Sequence, residues 1–204
     1  MSKNESINDL TLIIGNGIID IAKNITLNNK IHNLIIIGDS KDNSTLNFNT
    51  LNTDFIFVKS VNKIKLNKIT IKGSLKFFNN IEVEIDDVNI YGTLTFNNQC
   101  SSTKCTENQS ININNLNFYS ETDSNEYCIN LFGNVKINNA LFYGNPSCKN
   151  GIMKYDGENI NNIEITNSYF NGEFSNQCLK IVNSLKSYIL SSTFRNGASL
   201  KNGG

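Results

Sequence analysis

The sequence predicts an all-β protein, a right-handed parallel β-helix of about seven coils, and three observations carry that expectation. One pattern recurs in KIHNLIIIG, KIKLNKITIKG, VEIDDVNIYG, ININNLNFYS, VKINNALFYG, IEITNSYFNG and YILSSTFRNG. Each reads apolar, any, apolar, two polar residues, apolar or small, any, then Ile or Phe, with Gly or Ser close behind. A second short strand follows most of them, as SLKFF, TLTFN, CINLF, IMKYD and CLKIV. Finally, the offset that aligns Gly73 with Gly92 sets Lys63 beside Glu82, Lys65 beside Glu84 and Lys68 beside Asp87.

Alternation of apolar and polar residues marks a half-buried strand, so Ile81, Val83 and Ile85 are expected to face one way and Glu82 and Glu84 the other. The two polar residues then act as a corner between two strands. Three short strands per repeat of roughly 19–35 residues, each with an inward apolar face, make one coil of a solenoid. Coils stack about 4.8 Å apart, and the crossover between parallel strands is almost always right-handed. Aligned at the corner, one column reads His32, Asn67, Asp86, Asn114, Asn138 and Thr166; the next reads Asn33, Lys68, Asp87, Asn115, Asn139 and Asn167. Asparagine both donates and accepts, so these columns predict ladders of side-chain hydrogen bonds from coil to coil. The dense acids of IEVEIDDVNIYG are structural on this reading. Opposite charges across neighbouring strands stabilise by roughly 0.2–1 kcal/mol each, and a paired lysine holds a carboxylate ionised, which suits neither a general acid nor a shared proton.

On these repeats and corners, Leu34 to Gly197 resembles a right-handed parallel β-helix of the pectin-lyase-like superfamily. The stretch IIIGDSKDNSTLNF, Ile35 to Phe48, is similar to the glycine-aspartate-lysine-aspartate element near the start of many members. The resemblance implies the fold and leaves function open, because the superfamily holds lyases, hydrolases, esterases, adhesins and non-catalytic surface proteins. It also implies where chemistry would lie: on the outer face of one strand stack, from aspartates or an arginine on neighbouring coils. Taking that stack as the L-x-F strands, its outward column reads Asn47 or Ile56, Lys76, Thr95, Asn130, Lys154 and Lys180, with no carboxylate. A glycosidase needs two carboxyl groups about 5–9.5 Å apart, and a calcium-dependent lyase needs several acids on one ion and a base. The expectation is therefore a protein that is not an enzyme and uses no cofactor or metal. TDFIFV resembles the nucleophile strand of pectin methylesterases and nominates Asp54, yet it leaves no room for the coils that carry the other esterase residues. Arg195 reads as an outward turn residue and His32 as a ladder member, while GDSKDN, ETDSNE and KYDGEN read as solvated polar loops.

The 204 residues suit one domain, 1–204, with no break in composition. Lys plus Arg and Asp plus Glu number 18 each, and this balance argues against general attraction to nucleic acid or an anionic membrane. No apolar run approaches the ~20 residues that span a bilayer, and the opening MSKNESINDL has no signal-peptide character. ASLKNGG follows the last repeat with no amphipathic cap, so the chain is expected to be a segment of a longer secreted or surface-displayed repeat protein. Among five cysteines, Cys100 and Cys105 are expected to close a polar loop as a disulfide. Cys128 and Cys178 read as equivalent outward positions two coils apart, too distant to bond each other, with Cys148 within reach of either.

Outward residues not needed to build coils remain as candidates for binding. Tyr91, Tyr119 and Tyr143 fall in one column on successive coils, either as a stabilising ladder or as a recognition surface. Phe78 and Phe132 are expected to be exposed beside inward strand ends, and Lys76, Lys154 and Lys180 form a further row. The function expected is recognition of a protein partner, with carbohydrate as the second ligand class. Asparagine-rich β-helices of scaffolding proteins in anaerobic-fungal enzyme complexes, and of bacterial adhesins, look similar and suggest an enzyme-borne docking module as the partner.

Overall fold

The computed structural model describes residues 9–23, 25–27, 31–48, 54–57, 61–78, 81–97, 109–121, 126–174 and 177–198. Every regular element among them is a strand. The first coils contain β1 (Asp9–Ile14), β2 (Gly17–Asp20) and β3 (Ile25–Leu27), then β4 (Asn33–Gly38), β5 (Ser44–Asn47) and β6 (Asp54–Phe57). Two long strands, β7 (Lys63–Phe78) and β8 (Glu82–Asn97), each run through a whole coil. β9 (Ser110–Tyr119) and β10 (Tyr127–Phe132) follow, then β11 (Asn134–Asn138), β12 (Leu141–Tyr143) and β13 (Gly151–Asp156). The stack continues with β14 (Asn162–Thr166), β15 (Tyr169–Asn171), β16 (Leu179–Val182), β17 (Lys186–Leu190) and β18 (Thr193–Arg195). All pairings are parallel, each strand lying on its equivalent in the next coil, as β1 on β4 on β7 on β8 on β9. This is a parallel β-solenoid. About six turns enclose a core, slightly fewer than the expected seven, and exposed strands lie at each end of the described stack.

Period-2 alternation builds the interior. Along β7 the buried residues are Ile64, Leu66, Ile69, Ile71, Leu75 and Phe77, and each sits on its counterpart in β8: Val83, Ile85, Val88, Ile90, Leu94 and Phe96. Aromatic rings stack within this core, with Phe77 and Phe96 centroids 4.5 Å apart and Phe142 and Phe170 at 4.4 Å. Ile81 departs from its expected place. It precedes β8 rather than joining it and stays exposed.

The corner works through two distinct positions. Its second residue is left-handed in coil after coil: Lys68, Asp87, Asn115, Asn139, Asn167 and Ser191 have φ between 50° and 55°. This region strains most side chains, and Asn and Asp tolerate it best. Its first residue carries the ladder. Asn67 and Asn114 both donate to Asp86, at 3.0 and 2.8 Å; Asn138 donates to Asn114 at 3.0 Å; and Thr166 donates to Asn138 at 2.9 Å. Asp86 is acceptor-only when ionised, so it can close the ladder from both sides. A further short ladder joins Thr70, Asn89 and Asn117 on the outer face of the next strand.

His32 is not in this ladder. Asn33 pairs with Lys63 and Ile37 with Asn67, so Ile37 occupies the first corner position in that coil. The correct register stacks Leu34 and Ile36 on Ile64 and Leu66, and apolar burial outweighs the match of polar residues that had placed His32 and Asn33 at the corner. The charge pairs follow the expected offset in two of three cases. Lys63 meets Glu82 at 2.9 Å and Lys65 meets Glu84, both half-exposed, and the Glu82 hydrogen bond holds the Lys63 ammonium above its usual pKa. Asp87 instead takes Lys41, at 3.0 Å. Lys68 is exposed at the corner, and the loop from Asp39 to Asn43 supplies the cation in its place.

Glycine is required where coils approach closely. A Cβ at Gly92 would lie 2.0 Å from the Gly73 carbonyl oxygen, and both residues have positive φ, 153° and 124°.

Asn114→Ala removes two rungs of the ladder at an exposed site and should lower stability by about 1 kcal/mol in urea unfolding, without changing the m-value. Tyr155 is fully buried, donates to the Gly133 carbonyl at 2.9 Å, and burial pushes its phenol up to about 12. The unfolded chain ionises this phenol near pH 10 and the folded chain resists doing so, so its stabilising effect is present below pH 10 and is lost as pH rises towards 12. Tyr155→Phe should flatten the fall of melting temperature across that window while lowering stability at pH 7.

Candidate functional site

The three tyrosines form one continuous stack. Tyr91 closes the middle portion of β8, Tyr119 ends β9 and Tyr143 ends β12, and they pair directly in the sheet register. Ring centroids are 4.9 and 5.2 Å apart, with planes inclined by 12° and 6°. Each side chain is half-buried. Lys72, one coil earlier in the same column, places Nζ 5.8 Å over the Tyr91 ring, and Tyr169 tilts against Tyr143 at 6.1 Å. Both outer faces of the stack are therefore occupied, so the tyrosines present ring edges and hydroxyls to solvent. Stacked aromatic pairs contribute about 0.5–1.5 kcal/mol each beyond area burial, and an exposed cation over a ring about 0.5–1 kcal/mol. Burial, then Tyr119, Glu121 and Asp42, raise the Tyr91 phenol above its ordinary pKa.

The loop from Asp39 to Asn43 borders this stripe. Gly38 lets it enter, since a Cβ there would lie 2.1 Å from the Lys68 carbonyl oxygen. Its carbonyl at Lys41 accepts from Thr70 Oγ1 and from Asn89 Nδ2, which buries both outward side chains. Lys41 Nζ reaches Asp87 at 3.0 Å and Asn115 Oδ1 at 3.4 Å. The GDSKDN segment thus clamps three coils beside the tyrosines. Asp39, Asp42 and Lys41 lie in one loop, but the lysine is committed to Asp87.

The other expected residues occupy a different strand stack, beyond Gly73 and Gly92. The register runs Ile56, Lys76, Thr95, Asn130, Lys154, Lys180, as the second of the two alternatives for its first member; Asn47 lies opposite Lys72 instead. Lys154 and Lys76 are half-buried, Lys180 is exposed, and Lys154 lies 3.7 Å from Asp156. Phe78 and Phe132 share the neighbouring column, separated by the coil of β8. Neither has the exposure expected of it: both are half-buried, and Phe132 packs against the core. The candidate residues therefore form two sets, tyrosines on one stack and lysines with phenylalanines on another.

Arg195 lies in β18 in the tyrosine column, opposite Asn171 and exposed. Asp54 opens β6 opposite Ser74. Asp156, in KYDGEN, accepts from the Glu158 amide and from Asn183, as a turn carboxylate does. Among the described residues no three His, Cys, Asp or Glu side chains converge as a metal group would require, and no helix is long and apolar enough to cross a membrane.

Cys128 is bonded to Cys148, 20 residues later, with Cα atoms 5.4 Å apart. Cys128, Cys148 and Cys178 are all buried, so the outward exposure expected for the first and third is not found. Ile152 separates Cys128 from Cys178 in the column, and burial raises the pKa of the free Cys178 thiol. Cys100 and Cys105 lie outside the described residues.

Sequence reasoning missed Lys41 and Lys72. The second was legible, because the offset that pairs Gly73 with Gly92 also puts Lys72 beside Tyr91. No family model matches the chain, and neither a curated protein nor a solved structure matches it.

Peptide mapping of unreduced protein should recover Cys128 linked to Cys148, with Cys178 alkylated only after denaturation. Cys128→Ser/Cys148→Ser should cost about 3 kcal/mol of stability by the loop-entropy relation.

Proposed function

We propose that this chain is a non-catalytic recognition module that binds a protein partner through the edge of the Tyr91, Tyr119 and Tyr143 stack. One observation carries the proposal: three half-exposed tyrosines are held in a rigid row by stacking on each other and under Lys72. Pre-ordered aromatic side chains lose little rotamer entropy on binding, and tyrosine is a favoured anchor in protein interfaces. The row presents hydroxyls and ring edges beside Lys72, Asp42 and Glu121, a mixture suited to backbone and side-chain groups of a protein. Sugar recognition by stacking requires an open ring face, and here the faces are taken by neighbours. The Lys76, Lys154 and Lys180 column, which has no carboxylate from Ile56 to Lys180, supports the non-enzymatic part of the reading. The resemblance to pectin-lyase-like β-helices, and to scaffolding members among them, supports an enzyme-borne docking module as the partner. A disulfide between Cys128 and Cys148 accords with an oxidising, extracellular setting.

Two variants test the proposal. Tyr91→Phe/Tyr119→Phe/Tyr143→Phe keeps the ring stack and removes the hydroxyls. It should leave the melting temperature nearly unchanged and weaken capture of the partner, isolated by pull-down from the secretome, by at least about tenfold. Changing the three to Ser should abolish capture, since aromatic anchors cost about 2 kcal/mol or more each when truncated. Unchanged affinity with a lowered melting point would make the stripe a ladder only. Retention on a polysaccharide array with no protein captured would favour carbohydrate.

A further inference from the structure

Lys41, Asp87 and Asn115 form a closed triad on the flank of the solenoid. Lys41 Nζ lies 3.0 Å from Asp87 Oδ1 and donates to Asn115 Oδ1 at 3.4 Å. Asn115 Nδ2 donates to Asp87 Oδ1 at 2.7 Å. One carboxylate oxygen thus bridges an amine and the nitrogen of a carboxamide, while the amine already rests on the oxygen of that same carboxamide. Its Cγ carbon lies one carbonyl bond, about 1.2 Å, beyond Oδ1.

The backbone holds all three groups in place. Asp87 and Asn115 are the second corner residues of successive coils, with φ of 55° and 50°, so their side chains leave the chain at equivalent points. Lys41 comes from outside the corner column, on a loop whose carbonyl at Lys41 is tied to Thr70 and Asn89. The Ser40 carbonyl accepts from the Asn43 and Ser44 amides, and Ser44 Oγ accepts from the Asp39 amide, which closes the loop on itself. The Lys41 side chain is 19% exposed against 42% for Lys63, so this amine is the better shielded from water. Neutralising Asp87 needs only a cation; the amide in the same triad adds an electrophile beside the amine.

We propose that Lys41 and Asn115 join in an intramolecular isopeptide bond, with Asp87 as general base and then general acid. Asp87 takes a proton from the Lys41 ammonium, and the free amine attacks Asn115 Cγ. The Nζ–Cγ bond forms, the Cγ–Nδ2 bond breaks, and Asp87 returns its proton to the departing nitrogen. A second Nζ proton leaves with that nitrogen, so the products are one amide and one ammonium ion, and no oxidant, reductant or cofactor enters. Holding amine and amide in contact makes the step unimolecular, and well-oriented groups reach effective molarities of about 10⁵–10⁸ M. The bond ties the loop between β4 and β5 to β9, across β7 and β8. It does not rest on the tyrosine reading.

Intact-mass spectrometry of the reduced, denatured full chain tests this. The parent should weigh one ammonia less than its sequence, and trypsin should release residues 31–59, uncut at Lys41, joined to residues 105–136. Lys41→Arg keeps a cation beside Asp87, but a guanidinium stays charged and is no nucleophile. Asp87→Asn removes the base and keeps a residue that tolerates the left-handed corner. Both variants should give the circular dichroism of the parent and the full mass of their own sequences, with no joined peptide. The joined peptide is read on the parent itself, so a variant that fails to fold leaves the test standing. A parent at full mass after prolonged incubation would overturn the proposal. So would an ammonia loss that maps to a succinimide at an Asn-Gly pair such as Asn150 and Gly151. A joined peptide persisting at parental yield in Asp87→Asn would overturn Asp87 as the base.

Discussion

Six successive coils, from β7 to β17, turn through a two-residue corner whose second residue adopts left-handed φ, and the register of those coils follows from that corner. The conformation costs most side chains about 1–2 kcal/mol. Asn and Asp reduce the cost, which accounts for Asp87, Asn115, Asn139 and Asn167 at this position. Lys68 and Ser191 hold the same φ without that advantage, Lys68 between the ladder residue Asn67 and the buried Ile69, and Ser191 in the exposed coil of β17. Once the corner is set, period-2 alternation sends Ile64 and Leu66 inward, while Lys63 and Lys65 meet the acids of the next coil.

The four acids of β8 are absorbed by construction. Asp86 receives ladder donors from both neighbours, Asp87 receives Lys41 and Asn115, and Glu82 and Glu84 receive lysines. A carboxylate held in this way is an acceptor and a counter-ion, and the cluster that looks most reactive in the sequence becomes a fastening between β7, β8 and β9. The Lys41 loop adds a clamp across the same strands and leaves the tyrosine stack as the ordered aromatic feature next to it.

Stacking changes what those tyrosines offer. An isolated exposed ring presents two faces; rings about 5 Å apart in a column present only edges. The same repetition that builds a stable solenoid thus selects hydroxyl and edge contacts over face contacts. At the ends of the described columns, residues whose equivalents are buried elsewhere, such as Ile19 and Phe194, are partly exposed.

The sequence by itself determined the parallel solenoid, the offset between β7 and β8, the asparagine ladder from Asn67 to Thr166 and the tyrosine column, because these depend on local alternation and on like residues recurring at like positions. It misplaced His32, since the first coils carry Ile37 and Gly38 where later ones carry a polar pair, and only the burial of Leu34 and Ile36 decided the register there. It did not separate Phe78 and Phe132 from the tyrosines as a binding face, nor decide which of Cys128 and Cys178 pairs with Cys148, because both depend on how strands and loops are disposed around the coil. Tertiary structure decided that Cys148 reaches Cys128, that Lys41 crosses to Asp87, and that the tyrosine faces are closed. Those contacts join residues 20, 46, and 24 to 28 positions apart, and no local pattern encodes which of several neighbours a side chain will meet.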